Sequence, residues 1–195
     1  MNSANRSRRH FFKRLGAVAA AGTLNSTTSI AQHSKLSSTA HCGDARTQRQ
    51  TPGPFFTTNT PLKSDFRSDD PNGDPFTLVG YVKSRDCQPV QNAMVELWHA
   101  DGKGVYDNEG YRMRGHQFTD KLGRFIFQTG VPGDYPGRTR HFHVTLIAAG
   151  YRSLTTQLYF PGFHNNARDF GYREDLELSI AEIDGTQTGR FDFVI

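Results

Sequence analysis

Long leucine-, alanine- and glutamate-rich stretches are missing from this 195-residue chain, and with them goes a helical bundle as its architecture. No segment repeats. The apolar run from Leu15 to Leu24 is too short to cross a bilayer. Acidic residues are absent from the first 31 positions, which carry Arg6, Arg8, Arg9, Lys13 and Arg14. Of the 23 lysines and arginines, five lie there, leaving 18 against 19 acidic residues in the rest. The formal charge of +4 is therefore a property of the leader, and a nucleic-acid-binding face loses its basis. Cysteine is scarce, with Cys42 and Cys87 alone. An oxidising compartment permits a disulfide between them, and two unrelated thiols fit the sequence equally well.

The leader has readable parts. Ser7-Arg8-Arg9-His10-Phe11-Phe12-Lys13 reads as a twin-arginine export signal, and Ser29-Ile30-Ala31 supplies small residues before a cut at Gln32. That route exports folded proteins, which suits a cofactor loaded before export. The expected organisation is a signal peptide over 1–31, a flexible polar arm over 32–50 and a catalytic domain over 51–195. The mature protein is expected in the periplasm or outside the cell, with no membrane attachment after signal removal. A homo-oligomer is compatible with the sequence, which fixes no subunit number.

Glycine and proline are plentiful, at 19 and 9 residues, and strand signals recur between turns. Strands are expected at Phe76–Val82, Ala93–His99, Gly123–Gln128, His141–Ile147, Leu154–Phe160 and Arg190–Ile195. Residues 61–75 read as loop, and only Glu174–Glu182 hints at a helix. The predicted fold is all-β, a sandwich with long loops and little helix.

Four residues point to a metal. On a strand, residues two apart face the same way, so His141 and His143 can offer two imidazoles to one ion. Alone, His-x-His describes ordinary strand histidines more often than a metal site. Tyr106 ends a glycine-rich loop, and Tyr135 sits in a Pro-Gly-x-Tyr-Pro turn just upstream of the histidines. Phenolate is a rare protein ligand that favours hard, trivalent metal over zinc. Convergence of the four would make a non-haem iron enzyme.

Taken together, the ordered motifs resemble the intradiol ring-cleavage dioxygenases, from about Thr51 to Phe160. They are Gly53-Pro54-Phe55, Gly80-Tyr81-Val82, Val95-Glu96-Leu97-Trp98, Gly104-x-Tyr106, Pro132-Gly133-x-Tyr135, Arg138-x-x-His141-x-His143 and Thr156-Gln157-Leu158-Tyr159-Phe160-Pro161-Gly162. The resemblance implies one ferric ion per active site, held by Tyr106, Tyr135, His141 and His143, with Tyr135 leaving when substrate binds. It implies that Arg138 stabilises charge on a bound catecholate and that Gln157 stands beside it. Gly53, Pro54 and Phe55 match a segment that approaches substrate, and Trp98 is expected in the core first and as pocket wall second. His99 and Asp101 are possible supports of the site. The implied reaction joins a small aromatic diol with dioxygen, cleaving between the two hydroxylated carbons to a muconate-type diacid. Gly137 stands where protocatechuate enzymes often carry tryptophan, which opens the pocket. The stretch before Thr51 is too short and polar for the helical dimerisation domain of catechol 1,2-dioxygenases.

Two other readings use the same residues. A non-catalytic extracellular sandwich would leave both tyrosines, Arg138 and Gln157 as coincidences. A zinc hydrolase built on His141 and His143 lacks a carboxylate third ligand in register.

Overall fold

A computed structural model of the protein describes residues 36–41, 43 and 45–195. The expected signal peptide and Cys42 lie outside the described residues.

Eight strands form two four-stranded sheets: β1 (Pro75–Lys83), β2 (Met94–Trp98), β3 (Arg114–Phe118), β4 (Arg124–Gly130), β5 (His141–Ile147), β6 (Leu154–Tyr159), β7 (Ser179–Ile183) and β8 (Thr186–Val194). The orders are β4-β1-β8-β7 and β3-β2-β5-β6. The two sheets sandwich one core. Alternation makes it: Phe76, Leu78 and Val82 of β1 and Phe191 and Phe193 of β8 meet Val95, Leu97, Phe142, Val144 and Leu146 from the other sheet. Each large side chain so buried contributes about 1.5–3 kcal/mol. Gly80 is required here, because a Cβ would lie 1.8 Å from the Phe191 carbonyl.

The β3, β4 and β6 edges are covered, and the coverings build the site. Residues 61–66 run between the two sheets on one side. Lys63 N donates to the His116 carbonyl of β3, and Gln128 N of β4 donates to the Ser64 carbonyl. On the other side, the stretch expected to be a flexible arm lies against the body from Leu36 onward. Thr47 N donates to the Val194 carbonyl of β8, and Gln50 N donates to the Thr155 carbonyl of β6. Ser38 Oγ donates to Asp192 at 2.5 Å, and Leu36 is buried. The polar composition that reads as a free arm is spent on these strand-edge bonds, which also remove edges open to other chains. Between the two coverings, residues 51–60 cross the outer face of the second sheet as a strap.

The helix suggested over 174–182 is a correction. A single 3-10 turn at Glu174–Leu176 is followed by β7. Cys87 is disulfide-bonded.

Candidate active site

One cross-strand row organises the site. Arg114, Trp98, His143 and Gln157 are register partners across β3, β2, β5 and β6. All four point away from the core, yet each is only 1% exposed. The strap and two loops cover them. The next row places His141 opposite Tyr159. Period-two alternation thus splits β5 into Phe142, Val144 and Leu146 for the core and His141 and His143 for the site.

The tyrosines arrive on those two loops, and glycine brings the loops together. A Cβ on Gly104 would lie 2.3 Å from the Asp134 carbonyl oxygen, and one on Gly133 would lie 2.4 Å from Gly104 N. Each glycine stands two residues before its tyrosine. The loops therefore touch backbone to backbone, and the Tyr106 and Tyr135 rings meet edge-on with centroids 5.7 Å apart. Asp101 locks the contact. Its carboxylate accepts from Lys103 N and Val105 N, and its carbonyl accepts from Gly104 N and Gly133 N. The turn after Tyr135 has Pro136 second, Gly137 third at φ +80, and Arg138 N donating back to the Tyr135 carbonyl at 2.9 Å. Proline then positive-φ glycine is the type II pattern. It ties Tyr135 to Arg138.

Four donor groups converge. His141 Nε2 lies 3.1 Å from His143 Nε2 and 3.5 Å from the Tyr106 hydroxyl, and the Tyr135 ring is 5.9 Å from the His141 ring. His141 Nδ1 faces the Thr139 carbonyl at 2.6 Å. A carbonyl only accepts, so Nδ1 carries the proton and Nε2 presents its lone pair to the site. Burial, followed by the positive charge of Arg138, pushes His141 down to about 4. Burial lowers His143 well below its usual value too. Both imidazoles are thus neutral, the ligating form. Burial, then the neighbouring Tyr135, pushes the Tyr106 hydroxyl up. A phenol so placed ionises only beside a strong positive charge, which a metal supplies. No group of three His, Cys, Asp or Glu side chains that could hold a metal occurs among the described residues. The two imidazoles and two phenols brought together here fit a hard trivalent ion.

The supports are specific. Trp98 stacks on the His143 ring at 5.0 Å and 7°, and Gly53 passes over that ring so closely that a Cβ would sit 3.3 Å from its Cε1. Trp98 is therefore buried behind the His143 ring, in keeping with the core reading rather than the pocket-wall one. Phe55 stacks on Tyr106 at 4.5 Å, while Pro54 between them is exposed. Gln157 donates to the Thr51 carbonyl at 3.1 Å and accepts from Arg138. Arg138 also has its NH1 3.4 Å from the Tyr135 hydroxyl. A cavity of about 370 Å³ opens beside these residues, lined by Tyr135, Gly137, Arg138 and Arg168 among others. A side chain on Gly137 would meet nothing within 4 Å.

His99 is no part of this. Its Nε2 lies 2.7 Å from Thr129 Oγ1, its Nδ1 faces the Ala100 carbonyl, and its ring edges onto Phe142. Arg114 and Asp169 were not legible. Arg114 donates to the Phe55 carbonyl at 2.6 Å and to the Asp107 carbonyl at 2.7 and 3.0 Å, joining the strap to the Tyr106 loop. Asp169 holds Arg138 from 31 residues away. No local motif marks either residue.

A family profile described as dioxygenase matches residues 51–189. Catechol 1,2-dioxygenase of Acinetobacter baylyi is 30% identical over 167 residues, covering 70% of this chain and 54% of that protein. 6-Chlorohydroxyquinol 1,2-dioxygenase of Cupriavidus pinatubonensis is 32% identical over 149 residues, 63% of this chain and 54% of that protein. The chain thus spans about half the length of these curated relatives. Among solved structures, the dioxygenase domain of a dioxygenase and carbohydrate-binding protein fusion from Streptomyces sp. SirexAA-E superposes with TM-score 0.75 at 41% identity. That match covers 77% of this chain and 98% of the domain. With the profile covering most of the described residues, the chain belongs to the intradiol ring-cleavage dioxygenases, a family that uses non-haem iron.

Proposed function

We propose that this protein holds one ferric ion through Tyr106, Tyr135, His141 and His143 and cleaves a catechol-type ring between its two hydroxylated carbons. The observation that carries this is the convergence of two phenols and two neutral imidazoles beside a buried arginine–glutamine pair. When bound, the ion would supply Lewis acidity toward the two diol oxygens and an electron acceptor for the ring. The chain's own residues do the rest. Tyr135, on a half-exposed turn, would take one of the diol's two protons on its phenolate oxygen, and hydroxide displaced by the diol would take the other. Tyr106, His141 and His143 stay fixed under the strap. Arg138 NH1 faces the place vacated by Tyr135 and meets the negative charge of the deprotonated diol. Gln157 holds that guanidinium. The balance closes without an external reductant: both atoms of dioxygen enter the product, one ring carbon–carbon bond breaks, and a muconate-type diacid results. The open space at Gly137 leaves room for ring substituents.

We further infer export through the twin-arginine route, with residues 1–31 as the signal and 51–195 as the catalytic domain. A disulfide-bonded Cys87 supports an oxidising compartment. Among the described residues no helix is long and apolar enough to cross a membrane. Replacing Arg8 and Arg9 together by lysine is expected to retain the protein in the cytoplasm on fractionation; unchanged export would contradict the signal.

The reaction is tested by incubating iron-loaded protein with catechol under isotopically labelled dioxygen. A diacid carrying two labelled oxygens is expected. A single label, or a product cleaved beside the diol, would contradict the reading.

A further inference from the structure

Three consecutive residues grip Arg138. Both carboxylate oxygens of Asp169 lie 3.0 Å from Arg138 Nε, with side-chain exposures of 0% and 8%. The Phe170 ring centroid lies 5.1 Å from the guanidinium carbon, although Phe170 is 86% exposed. A Cβ on Gly171 would lie 2.9 Å from Arg138 NH2 and 3.3 Å from the Tyr159 hydroxyl. The carboxylate has further fixed donors: Thr139 N and Gly171 N reach it at 2.7 Å each. The turn is itself anchored, since the Gly171 carbonyl accepts from Tyr159 at 2.6 Å and from Gln50 at 2.5 Å.

We propose that the Asp169-Phe170-Gly171 turn is the positioning element of Arg138, aiming its NH1 edge at the reacting diol. The proposal rests on the dioxygenase reading. A guanidinium carries five N–H donors in one rigid plane, so fixing two edges fixes the third. Asp169 takes the Nε edge, Gln157 takes NH2, and NH1 is left 3.4 Å from the Tyr135 hydroxyl. Phe170 covers a face of the plane, as cations over aromatic rings do. An exposed phenylalanine with no core contact gains a reason to be there. Gly171 is demanded by space, because any side chain would push the plane aside. A charge held in advance where negative charge develops stabilises the transition state without reorganising at that moment. A buried ion pair serving the fold alone would use the same contacts. The two roles differ in what they move: a positioning residue lowers kcat through Arg138 while iron content, the visible band and catechol affinity stay native, whereas a pair serving the fold alone would move those too.

The test is a double-mutant cycle on the full, iron-loaded chain with catechol as substrate. Asp169→Asn is made in the native background and in Arg138→Gln, with Phe170→Ala as a second probe that removes no core contact. Iron content, the resting visible band and anaerobic catechol affinity are read beside kcat. In the native background Asp169→Asn is expected to keep iron and band, hold catechol affinity within about threefold, and lose about 100-fold in kcat. In Arg138→Gln the same change should cost less than about threefold. Phe170→Ala should lose about three- to tenfold, again only when Arg138 is present. Equal losses in both backgrounds, or native kcat in Asp169→Asn, would overturn the proposal. If Asp169→Asn fails to fold, the Phe170→Ala cycle decides by the same rule. A native protein without a visible band or catechol turnover would overturn the dioxygenase reading first, before any variant is compared.

Discussion

The two tyrosines occupy different mechanical worlds. Tyr106 is 7% exposed, with Phe55 stacked on one side and the Arg114 guanidinium 5.9 Å from its ring. Its loop is tied to the strap and to β3 through Arg114. Tyr135 is half-buried on a tight turn whose Pro136 and Gly137 face solvent, beside the 370 Å³ cavity. Its hydroxyl has a long 3.4 Å contact to Arg138. Moving Tyr106 would unstack Phe55 and disturb Arg114, whereas moving the Tyr135 ring gives up edge contacts to Phe55, Tyr106 and His141 and a long contact to Arg138. The same phenol chemistry is thus placed once as a fixture and once where it can depart. That asymmetry agrees with the departing role that the family resemblance implies for Tyr135.

The largest effect is expected from Tyr106→Phe, which removes the fixed phenol. Iron content should fall or the visible band shift, and turnover should drop by about 1,000-fold or more. A normally coloured, fully active variant would refute the ligand assignment. Arg138→Gln should retain iron and lose about 100- to 1,000-fold in kcat, measured by diacid formation. Arg114→Met should act through the fixture alone. It leaves the Phe55 and Asp107 carbonyls without a donor, at about 1–3 kcal/mol each, so denaturant unfolding should report the loss. The smallest effect lies far from the site, at Asp192. Burial alone would raise its pKa, but hydrogen bonds from Arg190 and Ser38 with the charge of Lys83 hold it below the usual carboxylate value. Its contribution is therefore full above the unfolded carboxylate pKa, near 3.9, and fades as pH falls through the lower folded value. Asp192→Asn should cost about 1–3 kcal/mol at neutral pH. Its difference from native should shrink in acid, as read by thermal unfolding.

Much of the site could be read from the sequence because its chemistry sits on regular geometry. The two-residue period of β5 put His141 and His143 on one side, and the two tyrosine motifs turned that pair into a metal reading. The glycines before each tyrosine also had local signatures, although their role in joining the two loops appears only in space. Other parts were hidden for physical reasons. β3 reads Arg-Gly-His-Gln-Phe and carries no apolar alternation, because the 61–64 segment covers its edge and its outward arginine serves the strap. Residues 174–182 gave only a hint of helix. Leu176, Leu178 and Ile180 alternate, and the free edge of β8 decides for a strand. Trp98 reads as core first and pocket wall second, and register places it buried and flat behind His143. Asp169 had no signal at all, since its function exists only through a contact with Arg138 made by the folded chain.

The ferric site and the departure of Tyr135 are tested together by the visible spectrum of the iron-loaded protein and its Tyr135→Phe variant, recorded with and without catechol in the absence of dioxygen. The native protein should show a tyrosinate-to-iron band that shifts on adding catechol. The Tyr135→Phe variant should differ from native at rest and coincide with it once catechol is bound, because Tyr135 has by then left the native site. A protein that stays colourless after iron loading, or two catechol complexes whose spectra remain as different as the resting ones, would contradict the assignment.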